Sequence, residues 1–263
     1  MNNKIFDEAK KNFITVYTAF KNNGITHTSN KFSYLPEWNL QQSKYFLNEC
    51  FNPKKKYLKC ARGSIVFVDF GINIGSELCN KHFAVVLNKN DTMYNRTLTV
   101  VPLSSKNGKY SVEIPDLIIG NVIDSLSRIV KSQSDEIFKM QYKMISHGVS
   151  VDELFDGDTK YKSKYIEWVQ KQPEKELKLY KESGNITNEQ IIKFSYEIQK
   201  FEKLLSHYQR FDKTTYVKCG NIQTISKDRI IKLNSLDPVG KFRISQNSLD
   251  IIDKELLSLF IKN

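Results

Sequence analysis

The stretch Arg62–Ser105, RGSIVFVDFGINIGSELCNKHFAVVLNKNDTMYNRTLTVVPLSS, decides the fold. Ser64 to Phe70 is dense in β-branched and aromatic residues, which suit a pleated, half-buried backbone, so a strand is predicted there. Phe83 to Leu87 and Thr97 to Leu103 have the same texture and predict two more. Just beyond, Asn107-Gly108 is the two-residue signal of a tight hairpin turn. It predicts that the third strand folds back directly into a fourth, Tyr110 to Ile114. Strand texture returns at Thr214 to Cys219 and at Ile222 to Ile225. Several short strands with tight connections predict a small barrel or an open sheet.

On either side of these strands the pattern is helical. Phe6, Ala9, Phe13, Tyr17 and Phe20 recur at spacings of three and four, and Gly24 supplies a stop. A second helix is predicted from Pro36, a residue favoured in the first helical turn, to Phe51. Trp38, Tyr45 and Phe46 are its apolar side. The run Asn52-Pro53-Lys54-Lys55-Lys56 ends it. Between about Leu117 and Arg210 strand texture is missing. Thr187-Asn188-Glu189-Gln190 has capping-box spacing, and behind it Ile191, Phe194, Ile198, Phe201 and Leu205 repeat at 3-4-3-4. That stripe predicts a helix packed on a second one over Tyr161 to Tyr180, broken or kinked at Pro173. The chain closes with a helix after Ser245, whose apolar face is Leu249, Ile252, Leu256 and Leu259.

The 263 residues carry 40 Lys and Arg against 29 Asp and Glu, a formal charge of +11. Such a balance attracts polyanions, nucleic acid first and an acidic protein second. Four cysteines, Cys50, Cys60, Cys79 and Cys219, show neither CxxC spacing nor a neighbouring histidine pattern, so they read as reduced thiols and no metal centre is expected. The N-terminus has no apolar core of a signal peptide, and no run approaches the roughly 18 apolar residues of a membrane span. The expected setting is cytoplasmic.

Several small motifs in Arg62–Ser105 fall in a familiar order: Arg62-Gly63, Asp69-Phe70, Gly75-Ser76-Glu77, Ala84-Val85-Val86-Leu87 and Pro102-Leu103-Ser104. The stretch resembles the MazF/PemK toxin family, and the block Lys218 to Arg229, KCGNIQTISKDR, is similar to a later strand and turn of that family. The resemblance implies an α+β chain built on an SH3-like small β-barrel, a homodimer, and a toxin neutralised by a cognate acidic antitoxin. It places an N-terminal helical extension at 1–60, the barrel core at 61–117 and 211–263, and an inserted helical hairpin at 118–210. It also implies a metal-independent, sequence-specific endoribonuclease acting on single-stranded RNA without a cofactor. Two departures stand out. The family's catalytic arginine, followed by proline, falls on His82, followed by Phe83; its catalytic threonine falls on Ser104.

These residues suit the reaction. RNA supplies its own nucleophile, the 2′-hydroxyl, so the protein has to take one proton, give another and stabilise charge on phosphorus. His82 titrates near neutrality and suits either proton role. Ser104 can donate to a phosphate oxygen, and Glu77 can orient the imidazole or act as base. Lys81, Arg62 and Ser76 are candidates for holding the phosphates, Asn221 and Gln223 for reading base edges, and Tyr94, Tyr110 and Phe70 for stacking. Each also has an ordinary structural role open to it: a turn cap, a solvated charge, a core ring. The competing reading is a non-catalytic module of the same fold that binds nucleic acid or poisons a protein target such as DNA gyrase, favoured by the missing arginine. The N-terminal helices could also restrain activity, in which case their removal would raise it.

Overall fold

The computed structural model describes residues 3–22, 30–52, 56–115, 118–155, 158–182, 188–210 and 214–261. The chain divides into two compact units. The first comprises Met1–Ile118, Lys213–Leu233 and Pro238–Asn263; the second comprises Ile119–Asp212 and Asn234–Asp237.

The first unit opens with two helices, α1 (Asn3–Lys21) and α2 (Leu35–Phe51), separated in part by a 3-10 turn at Asn30–Tyr34. Pro36 sits in the first turn of α2, where its missing N–H costs nothing. Trp38 is buried, but Phe46 is exposed, and α1 buries none of its apolar stripe: Phe6 is 79% exposed. The sheet follows, as β1 (Ile65–Asp69), β2 (Lys81–Val86), β3 (Thr97–Ser104) and β4 (Ser111–Glu113). After the second unit come β5 (Tyr216–Lys218) and β6 (Gln223–Ser226).

All pairings are antiparallel, in the order β1-β2-β3-β5-β4, with β6 also on β3. One edge of β3 is thus shared: Thr97–Val100 pairs with β6 and Leu103–Ser104 with β5, and a 3-10 turn at Cys219–Asn221 joins the two. Every residue of β1 is buried, as are Val85, Val86, Val100, Val101 and Val217. Each side chain of that size contributes about 1.5–3 kcal/mol on burial.

Two expectations change here. The ladders do not close into a barrel: among the described residues none joins β1 to β4. The outer edge of β1 is occupied by irregular chain instead. Ile231 N–H donates to Phe67 O, Gly240 N–H to Ile65 O and Ile244 N–H to Gly63 O, while Ile65 N–H donates to Phe242 O. Those bonds satisfy the groups a closing strand would have used. Nor does β3 fold back onto β4. The 105–110 connection is longer than a two-residue turn, with Tyr110 in the left-handed region at φ 61°, and β5 lies in the slot between the two strands.

One buried ion pair ties the unit together. Lys227 Nζ donates to both oxygens of Asp91 at 2.8 and 2.7 Å and to Thr92 O at 2.9 Å, and Cys60 N–H donates to Asp91 at 2.8 Å. Burial works against the Asp91 carboxylate, but these bonds outweigh it and hold its pKa below the usual range. The last helix, α8 (Gln246–Phe260), is capped by Ser245, which accepts from Ser248 N–H; Leu249 and Ile252 are buried as expected, Leu256 only partly.

The second unit is helical: α3 (Ile118–Ser146), α4 (Val151–Phe155), α5 (Thr159–Gln170), α6 (Glu174–Glu182) and α7 (Asn188–Gln209). Five helices stand where a hairpin was expected. Pro173 separates α5 from α6, as its missing N–H requires. Phe138 of α3, Phe155 of α4 and Tyr165 and Trp168 of α5 form an aromatic core. In α7, Ile198 and Phe201 are buried together with Leu204 and Tyr208, whereas Leu205 is half-buried. Thr187 of the capping-box motif lies outside the described residues, as do the side chains of Ile191 and Phe194.

Candidate functional site

The β2–β3 ladder pairs Ala84 with Pro102, Val85 with Val101 and Val86 with Val100. The ladder ends at Ala84 and Pro102; the same register carried on by two steps would set His82 opposite Ser104, on one face of the sheet. The imidazole lies across the strand end: Nδ1 is 3.2 Å from Leu103 O and Nε2 is 3.0 Å from Cys79 O. Burial lowers the His82 pKa, and the positive charge of Lys218 works in the same direction, against the two carbonyls, which favour a protonated ring. Neutral imidazole has one N–H, so only one of the two carbonyls receives a proton at a time. To exchange a proton with a ligand, the ring must leave one of these carbonyls.

Ser104 is half-buried at the end of β3; its Oγ accepts from Lys106 N–H at 3.0 Å, which leaves the hydroxyl proton to donate elsewhere. Across the β3–β5 ladder it faces Tyr216. Two residues along β5, Lys218 reaches back over the turn: a Cβ at Gly108 would stand 2.7 Å from its Nζ. Lys81, exposed at the start of β2, places its ammonium 5.0 Å from the Tyr34 ring centre. One strand end therefore brings the imidazole and the hydroxyl near the ammonium of Lys218, whereas Lys81, next to His82 in β2, points to the other face, over Tyr34.

The loop 71–80 connects β1 to β2 at this same end and carries Ser76 and Glu77, both exposed. It is held from within. Asn73 Nδ2 donates to Phe70 O at 3.2 Å and Leu78 O at 2.7 Å, and the Cys79 thiol donates to Glu77 O at 3.3 Å. Gly71 at φ 75° and Gly75 at φ 59° take the left-handed backbone the loop needs. Among the described residues no side-chain partner is seen for Glu77, so its carboxylate stands in solvent beside the site rather than on the imidazole.

The remaining candidates lie elsewhere. Arg62 is at the opposite end of β1, where its guanidinium donates to Leu87 O and pairs with Asp253 of α8. Gln223 is opposite Val100, four residues along β3 from Ser104, or about 13 Å at the usual strand rise. Asn221 lies in the turn between β5 and β6. Phe70 is fully buried, a core ring; Tyr94 and Tyr110 are exposed. Among the described residues no cluster of three or more His, Cys, Asp or Glu side chains could hold a metal ion, and no helix is long and apolar enough to cross a membrane.

Sequence reading passed over four contributors. Lys218 is one of 40 basic residues, and only the β3-β5-β4 order brings it to His82. Lys31, Tyr34 and Trp38 sit in the N-terminal helical region, which carries no motif, yet all three touch β1 or the loop that follows it.

The first unit carries an open antiparallel sheet with an imidazole and a hydroxyl near one strand end. Residues 61–130 match the family model described as PemK-like, MazF-like toxin of type II toxin-antitoxin system. Residues 61–130 are thus similar to a PemK/MazF-type toxin domain, and that stretch includes β1 to β4 and both His82 and Ser104. The block Lys218–Arg229 lies outside that stretch. A search of curated proteins gave no match to the chain.

Proposed function

We propose that this chain is the toxin of a type II pair and acts as a sequence-specific endoribonuclease on single-stranded RNA, leaving a 2′,3′-cyclic phosphate and a 5′-hydroxyl. What supports this reading is the match of residues 61–130 to the family model, together with the His82 ring lying against the carbonyl of Leu103, the residue before Ser104. On this reading the sheet is an opened counterpart of the family's SH3-like barrel, and the working species is a cytoplasmic homodimer held in check by an acidic antitoxin.

The chemistry follows from the groups present. A base takes the proton of the 2′-hydroxyl, and that oxygen attacks phosphorus. The bond to the 5′-oxygen breaks, and that oxygen takes a proton from the protonated base or from water as it leaves. Lys218 holds the phosphate as a point charge, and the Ser104 hydroxyl donates to the oxygen that gains charge. His82, neutral near pH 7 and released from Cys79 O or Leu103 O, is the base; Glu77, reaching in from the loop, is the nearer candidate where the ring stays put. Ser76 lies beside it to meet a neighbouring phosphate. Asn221 and Gln223, farther along β3, lie where a following nucleotide would run.

A specific observation favours a second reading. Both ring nitrogens of His82 face backbone carbonyls, which suits an imidazole that braces the strand end in a non-catalytic binder. One experiment separates the two. The purified protein is incubated with a long transcript in EDTA and the new ends are mapped. Cyclic phosphates in the native digest that form about 10- to 100-fold more slowly with Ser104→Ala support the nuclease; intact RNA between pH 5 and 9, with the protein still retaining RNA on a filter, selects the binder.

A further inference from the structure

The loop 71–80 is anchored from outside by residues of the N-terminal helical region. Lys31, only 8% exposed, donates from Nζ to Asn73 O at 2.9 Å and to Gly75 O at 2.8 Å. Among the described residues no carboxylate pairs with it. A buried ammonium is costly to desolvate, so the two carbonyls it gathers are what balance it. They are also the carbonyls on either side of Ile74, just before Ser76 and Glu77. Two further contacts fix the start of the loop. Tyr34 OH donates to Asp69 Oδ2 at 3.1 Å while Asp69 Oδ1 accepts from Gly71 N–H at 3.0 Å, and the Trp38 ring fills the space where a Gly71 side chain would stand. Residues Ile72 to Gly75 form one wall of a cavity of about 610 Å3 whose other walls are Phe13 and Val16 of α1 and Leu35 and Trp38 of α2. With open space on that side, the two bonds from Lys31 add an outside anchor to the bonds that Asn73 and Cys79 make within the loop.

We propose that Lys31 is a positioning residue of the toxin site: by gathering the carbonyls of Asn73 and Gly75 it sets where Ser76 and Glu77 stand at the strand end of Ser104. This rests on the nuclease reading above and gives the N-terminal helices a supporting part in activity, opposite in sign to a restraint. Without the ammonium, the two carbonyls turn to water for a donor, and the loop relaxes toward the cavity. A displacement of about 1 Å at a reacting group costs on the order of 100-fold in rate.

The test compares full-length native protein with Lys31→Met and Lys31→Arg by hydrogen exchange, by thermal melting and by cleavage of one long transcript at several concentrations. Lys31→Met is expected to speed exchange of the loop amides between Ile72 and Asn80 at least about 10-fold. Exchange in β2 and β3 should stay unchanged. The maximal cleavage rate should fall about 10- to 100-fold with the half-saturating RNA concentration within about threefold; Lys31→Arg, which keeps charge and donors, should retain most of both. Unchanged loop exchange in Lys31→Met overturns the proposal, and so does a loosened loop that cuts at the native rate. Should Lys31→Met fail to fold, Lys31→Gln, whose amide can donate to one of the carbonyls, carries the same comparison. If the native chain cuts no RNA, the nuclease reading is what fails, and exchange alone decides whether Lys31 anchors the loop.

Discussion

At the residue scale, the His82 environment makes stability sensitive to acid. Burial lowers its pKa in the folded chain, so between that value and the unfolded value of about 6.5 the unfolded state binds more protons. The stabilising contribution of the neutral ring is therefore present above about pH 6.5 and is lost as pH falls below it. Melting temperature should drop from pH 7 to pH 5, and His82→Gln should drop less; equal slopes would mean the ring does not sense its burial. If the ring is the base, cleavage should decline over that same acidic range, because only the neutral form accepts a proton. Ser104→Ala should slow cleavage about 10- to 100-fold, the worth of a hydrogen bond to a charged oxygen, with little change in melting. Lys227→Met is the contrasting case. It strands Asp91 buried without its cation, a loss of about 3–5 kcal/mol, and melting should fall by on the order of 10 °C.

At the element scale, the loop 71–80 and the shared edge of β3 explain most of what the site needs. Gly71→Ala would put a methyl group 2.3 Å from the Trp38 ring at a backbone angle unfavourable to L-residues, so it should destabilise by at least about 2 kcal/mol, read by denaturant unfolding. The positions of β1, β2 and β3 were legible because β-branched texture marks them locally, and the same holds for Pro36 in α2 and for the apolar face of α8. The order of strands was not. Asn107-Gly108 carries a genuine local turn preference, but the partner that displaces β4 from β3 arrives about a hundred residues later, and local chemistry has no record of it. Arg62 is a similar case. Beside Gly63 it reads as a phosphate ligand, yet Asp253, near the other end of the chain, claims its guanidinium. His82 and Ser104 were legible only through the resemblance; nothing in their spacing says that a strand pair will bring them level.

At the scale of the whole molecule, the charge is not evenly shared. The first unit has 25 Lys and Arg against 13 Asp and Glu, the second 15 against 16. The pull on a polyanion belongs to the unit that holds the sheet, and the helical unit is electrostatically neutral toward it. RNA retention should therefore weaken with salt according to first-unit residues. Lys218→Ala should flatten the slope of log affinity against log salt by about 0.7, the value for one contact to single-stranded nucleic acid. A triple change of Lys131, Lys164 and Lys171 to Ala, all in the second unit, should leave the slope where it was; a comparable flattening there would move the binding surface onto the helices.

The pairing of β4 with β5 has a consequence for variation. Glu113 faces Tyr216, and Ile114 N–H donates to Thr215 O at 3.2 Å, so the chain departs from the sheet and rejoins it at neighbouring points. Closing such a gap costs free energy that grows only with the logarithm of the excursion's length. To the strands, the hundred residues in between are a parenthesis. Lengthening or exchanging them would leave every hydrogen bond of the β4–β5 ladder with its partner, so this excursion is where the chain can vary without disturbing the sheet.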